Sequence, residues 1–106
     1  MPTFMFRARY TSAGAAGLLK EGGTARAAAV KAVGESVGGT MIAQYWVMGE
    51  DDFIAIADMP DVESAAALSL AVGASGAASV STSQLFSASD VDAIVQRRVN
   101  YRPPGG

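Results

Sequence analysis

The chain has 106 residues, enough for one domain and one core. Eight basic residues against ten acidic ones leave a formal charge of −2, too small and too mixed to draw the chain to nucleic acid or to an anionic membrane. Cysteine and histidine are absent, which removes disulfides, thiolate nucleophiles, Cys-ligated metals and the commonest general base. Half of the residues are hydrophobic, but 21 of them are alanine, and alanine with glycine makes up 33 positions. Such a chain packs backbones closely and covers little apolar area per residue, so a partner chain is expected to complete its core.

Thr3 to Tyr10 alternates Thr, Met, Arg, Arg with Phe, Phe, Ala, Tyr, the period of a strand. Thr11 to Gly23 is interrupted by Gly14, Gly17 and Gly22-Gly23, so no more than a short turn is expected around Ala15 to Lys20. Thr24 is placed to cap a helix with Ala29, Val30, Val33 and Val37 on one face, ended by Gly38-Gly39. Thr40 to Met48 and Asp52 to Asp58 then read as an antiparallel hairpin around Gly49-Glu50-Asp51. The second of these strands is apolar on both faces, which calls for cover on both. Asp61 caps a second long helix with Ala66, Leu70 and Gly73 on one face, stopped by Gly76. Ala78 to Gln84 is a fourth strand, and Ser89-Asp90-Val91-Asp92 resembles a capping box opening a terminal helix with Val91, Ile94, Val95 and Val99 on one stripe. Arg97 and Arg98 suit the negative end of that helix, and residues 100–106 form a mobile tail.

This order, β-α-β-β-α-β plus a C-terminal helix, predicts an α+β ferredoxin-like domain over residues 1–99 with a four-stranded antiparallel sheet. Two helices cover one face of such a sheet. A second copy packed sheet to sheet by a symmetric contact would cover the other. Residues 64–89 carry no charge, but their large side chains are too sparse for a membrane span. The first residues lack the pattern of a secretory signal, so a cytoplasmic protein without membrane attachment is expected.

Pro2-Thr3-Phe4, Arg9-Tyr10-Thr11, Val37-Gly38-Gly39, Met48-Gly49-Glu50-Asp51-Asp52-Phe53, Ile56-Ala57-Asp58-Met59-Pro60-Asp61 and the alanine-rich stretch from Ser64 to Gly73 occur in an order and at spacings that resemble the GYD-domain proteins. These are small bacterial and archaeal domains grouped with the dimeric α+β barrels. The resemblance covers roughly residues 2–95 and implies a homodimeric barrel, open to further assembly. It supplies no reaction. The family's Gly-x-Tyr-Asp signature falls on Gly49, Glu50, Asp51 and Asp52, so Asp51 stands at the tyrosine position, and an activity that needs that tyrosine would be lost or altered here. Other dimeric α+β barrels, among them antibiotic-biosynthesis monooxygenases and muconolactone isomerases, bind small organic molecules between sheet and helices, an analogy of fold alone.

Several residue groups could carry chemistry. Glu50, Asp51 and Asp52 crowd three carboxylates into one turn, an arrangement useful for a general acid or base, with Asp52 at the mouth of a strand the leading candidate and a solvated turn the plainer reading. Arg7 and Arg9 share one strand face, as do Gln44 and Trp46. If both pairs point into the interface they make a pocket that offers two cationic forks, an amide and a flat apolar wall to an anionic or aromatic organic molecule; otherwise the arginines pair with carboxylates across a dimer and Trp46 anchors the interface. Tyr10 and Tyr45 could give a proton to an enolate, or serve as ordinary strand residues. Pro2 would become the terminal amine if Met1 were removed, as in the tautomerases, which differ in length and element order. Gly22-Gly23-Thr24 lacks phosphate-loop spacing, and the five methionines are scattered as core filler. No metal site and no cofactor is expected. Three functions therefore compete: a homo-oligomeric binder of a small organic molecule, a pure oligomerisation module, and a cofactor-independent isomerase or monooxygenase using Asp52 with Arg7 or Arg9 at a developing oxyanion.

Overall fold

A computed structural model describes all residues from Met1 to Gly106. The protein is α+β, with an open four-stranded antiparallel sheet and four helices. Its elements run β1 (Thr3–Tyr10), α1 (Ser12–Glu21), α2 (Gly23–Ser36), β2 (Thr40–Trp46), β3 (Phe53–Asp58), α3 (Val62–Ala74), β4 (Ala78–Leu85) and α4 (Ala88–Ile94). The strand order is β2-β3-β1-β4. The four expected strands all form, and the hairpin closes with the Val47 amide donating to the Asp52 carbonyl at 3.0 Å.

The alternation seen in the sequence decides the two faces. Phe4, Phe6 and Ala8 of β1 and Phe53, Ala55 and Ala57 of β3 are buried against the helices and make the centre of the core with Met59, Ala65, Leu68 and Ala78. Met5, Arg7 and Arg9 of β1, with Ile54 and Ile56 of β3, lie on the opposite face, which carries no helix. The helix α2 packs over β2 and α3 over β4, at the two edges, while α1 sits beside α2 near β1.

The helix α1 corrects the expectation of a short turn. Thr11 caps it, its hydroxyl accepting from the Gly14 amide at 3.2 Å and donating to the Gly76 carbonyl at 2.7 Å, so the cap also ties the helix to the start of β4. Gly14 is in this helix for closeness rather than as a breaker: a Cβ there would lie 1.9 Å from the Ala77 carbonyl oxygen. The break falls instead at Gly22, whose φ of 80° separates α1 from α2, so that α2 opens without a side-chain cap and Thr24 does not serve as one. At the other end of α2, Gly38 in the left-handed region lets the Gly39 amide reach the Gly34 carbonyl and the Gly38 amide reach Glu35, a Schellman ending.

Two further helix expectations shift. Asp61 caps α3 as expected, accepting from the Ser64 amide at 2.7 Å, and contacts first with the Ser64 side chain and then with its backbone hold the Asp61 carboxyl below its ordinary value. The inward face of α3, however, is Ala65, Leu68 and Val72, while Leu70 is 74 % exposed. The capping box of α4 is Ser87 with Asp90, two residues before the predicted position, and α4 ends at Ile94, ahead of Arg97 and Arg98. None of its residues is buried, so the predicted stripe of Val91, Ile94, Val95 and Val99 remains on the surface. The radius of gyration is 16.7 Å, larger than the ~13 Å of a compact chain this long.

The two inner glycines of α1 should respond to substitution with opposite sign. Gly14→Ala forces the Ala77 carbonyl aside and should destabilise by about 1–3 kcal/mol. Gly17, where a Cβ meets no atom within 4 Å, should gain about 0.5–1 kcal/mol as alanine through helix propensity. Urea denaturation of both variants checks the pair.

Candidate functional site

Because α2 and α3 cover the two edges of the sheet, a space remains between them above β1 and β3. The floor beneath it includes Ala8, Ala55 and Ala78, whose small side chains leave room that leucines would fill. The result is a cavity of about 470 Å³, within the range that holds small organic molecules. Phe6 and Phe53 flank the floor, Val30 and Val33 come from α2, Leu68 and Val72 from α3, and Gly17 and Leu18 of α1 close one side.

Sixteen of the 21 lining residues are hydrophobic. Polar groups come from four side chains: Tyr10, itself one of the sixteen, with Glu21, Arg26 and Ser75. Glu21 at the end of α1 and Arg26 in the first turns of α2 face each other across the Gly22 break with 3.7 Å between Oε2 and Nη1. The cavity's single cation is therefore balanced by its single anion. Ser75 is also occupied, its hydroxyl donating to the Val72 carbonyl at 2.6 Å and accepting from the Ala77 amide at 3.2 Å. Tyr10 accepts a hydrogen bond from Trp46 Nε1 at 3.0 Å, and its ring packs under α1 where Gly14 leaves space.

The residues singled out from the sequence do not converge on one pocket. Tyr10 lines the cavity, with Trp46 immediately behind it packed against Phe53 in a tilted arrangement, 4.9 Å between ring centroids and 55° between planes. Gln44 is on the same sheet face but serves to fasten β2 to α2, its Nε2 donating to the Ala27 carbonyl at 3.0 Å. Arg7 and Arg9 are on the opposite face: Arg7 pairs in register with Ile54, and its Nη2 donates to Ser81 Oγ at 3.2 Å. A pocket built jointly from these arginines with Gln44 and Trp46 is therefore not formed within one chain, because the sheet lies between them. The cause is a bulge in β2, where Met41 pairs with Ala57 and Ala43 with Ile56. The extra residue, Ile42, reverses which side chains face the helices.

Asp52 is also placed differently from a free acid or base. Its carboxylate accepts from the Tyr10 amide at 2.8 Å and its own amide donates to the Ala8 carbonyl at 2.9 Å, so it joins the hairpin to β1. Neither Asp51 nor Asp52 lines the cavity. Asp51 is half-buried in the turn, with its carbonyl accepting from the Gly49 amide at 2.9 Å and Met48 beside it at a φ of 54°. No group of three or more His, Cys, Asp or Glu residues is arranged to hold a metal ion.

Residues 4–95 match the GYD domain. The chain belongs to the GYD domain family. No curated protein and no solved structure matches it significantly. Within this GYD domain the signature turn around Gly49 to Asp52 is thus a structural clasp between β1 and the hairpin, set apart from the cavity. No helix of the domain is long and apolar enough to cross a membrane.

The cavity wall missed by sequence reasoning is α1. Its signal was present in Thr11, a capping residue three positions before Gly14, but the glycines were read as breakers. If Asp52 is a clasp, Asp52→Ala should cost about 1–3 kcal/mol and raise hydrogen exchange at the Tyr10 amide, while Asp52→Asn, which keeps a carbonyl acceptor, should cost less. Exchange measured by NMR on the three proteins checks this.

Proposed function

We propose that this GYD domain is a homodimeric α+β barrel of ferredoxin-like topology that binds a small, neutral, apolar or aromatic organic molecule between its sheet and its helices. The observation that carries the reading is the cavity, about 470 Å³ in volume with predominantly hydrophobic walls. Proteins fill their interiors to crystal-like density, so an apolar space of this size at the middle of a small core is more than a packing defect. The Arg26–Glu21 pair at its wall favours an uncharged occupant over an anion. The strand order β2-β3-β1-β4 supports the ferredoxin-like reading, which an additional helix, α1, extends.

The dimer rests on the other face. There Tyr45, Ile54 and Arg7 form one cross-strand row and Ala43, Ile56 and Met5 the next. Tyr45 is 68 % exposed, and Arg7 Nε is buried without a partner. A surface of this kind suits a self-complementary contact about a two-fold axis. The same face favours the second reading, an oligomerisation module without a ligand.

Two measurements separate these. The environment-sensitive dye prodan should bind saturably and receive energy from Trp46, the chain's single tryptophan. Gly17→Leu, which adds bulk at the cavity wall from a position where a Cβ meets no atom within 4 Å, should weaken that binding about tenfold, or by ~1.4 kcal/mol. Absence of saturable binding to the wild type leaves the oligomerisation module as the correct reading. In sedimentation velocity the wild type should run as a dimer or larger, and Ile54→Arg, which sets a second cation beside Arg7, should run as a monomer. A monomeric wild type contradicts the barrel.

A further inference from the structure

We infer that the Tyr10 hydroxyl is the recognition group of the cavity and that its ligand is a neutral organic carbonyl compound, such as an aromatic ketone or quinone. This inference rests on the ligand-binding reading above and names the chemistry that the site selects. Of the four polar side chains that line the cavity, three have partners within the protein. Glu21 and Arg26 engage each other, and the Ser75 hydroxyl both donates and accepts within the protein. Tyr10 differs. Its oxygen accepts from Trp46 Nε1, and its own proton has no acceptor in the protein.

A phenol that accepts one hydrogen bond becomes a better donor of another, since hydrogen bonds in a chain polarise each other. The Trp46 indole can only donate, so it fixes the role of the Tyr10 oxygen as acceptor and leaves the hydroxyl proton for a third group. The ring itself has little freedom: it is held beneath α1, where a Cβ on Gly14 would come within 3.1 Å of Tyr10 Cδ1. A preformed neutral donor in a cavity with mostly hydrophobic walls complements one acceptor atom on an apolar body. A carboxylate would be poorly served, because the cavity's one cation, Arg26, is already balanced by Glu21 and a neutral hydroxyl does not offset the cost of burying a charge.

Acetylnaphthalene and ethylnaphthalene share a ring system and nearly a size, and differ in the carbonyl. Calorimetric titration of both into the wild type and Tyr10→Phe should show equal hydrocarbon affinity in the two proteins, with ketone affinity about five- to tenfold lower in the variant. Acetylnaphthalene bound to the wild type should also show its carbonyl stretch at lower frequency than in a hydrocarbon solvent, a reading that does not depend on the variant folding. If both compounds bind but the carbonyl stretch stays at its hydrocarbon-solvent frequency, or the ketone-to-hydrocarbon ratio is unchanged in a folded Tyr10→Phe, the role of Tyr10 is overturned and the cavity reading stands. If neither compound binds the wild type, both are overturned.

Discussion

A β-sheet has two faces, and in this chain every helix that packs on the sheet packs on the same one. From that asymmetry the remaining features follow. Residues of even number in β1 and odd number in β3 meet helices, while their neighbours Met5, Arg7, Ile54 and Ile56 are left on a face that this chain does not cover. The covered face carries the core and the cavity. The uncovered face carries half-buried apolar side chains around an arginine whose Nε has no partner, a combination that single domains rarely leave facing water.

The abundance of alanine and glycine acquires a specific meaning in this arrangement. Glycine at position 14 brings the backbone of α1 against the start of β4, and alanines at 8, 55 and 78 keep the floor low beneath it. Close approach at the ends of the helix layer and small side chains on the sheet together leave an open middle. The larger residues stand around this space: Phe6 and Phe53 beside the floor, Leu68 and Val72 on α3, Val30 and Val33 on α2. A thin core and an open space between sheet and helices are in this domain the same fact.

Local signals were the legible ones. The period of two located β1, the apolar run of β-formers located β3, the Gly49 turn located the hairpin, and Asp61 located the start of α3, because each depends on residues adjacent in sequence. Three features were not legible. The helix α1 was hidden because Gly14 is explained by a contact with Ala77, 63 positions along the chain. The faces of Gln44 and Trp46 relative to Arg7 were hidden by the bulge at Ile42, which shifts register with no local mark in composition. The sequence places Ala66, Leu70 and Gly73 on one face of α3, yet a helix this rich in alanine presents little difference between its sides, and tertiary packing selects Ala65, Leu68 and Val72. Of the candidate residues, Tyr10 lines the cavity, Asp51 and Asp52 lie in the turn that fastens β1 to the hairpin, and the arginines lie on the other side of the sheet.

On the proposed reading the two faces have two tasks, the helix-covered one to take a small molecule and the bare one to take a second copy. Methyl-labelled protein titrated with acetylnaphthalene and followed by NMR reports both faces at once, since Val30, Val33, Leu68 and Val72 line the cavity and Ile54 and Ile56 lie on the bare face. The account predicts saturable shifts of the valine and leucine methyls with the two isoleucines unmoved. Shifts confined to Ile54 and Ile56 would contradict it.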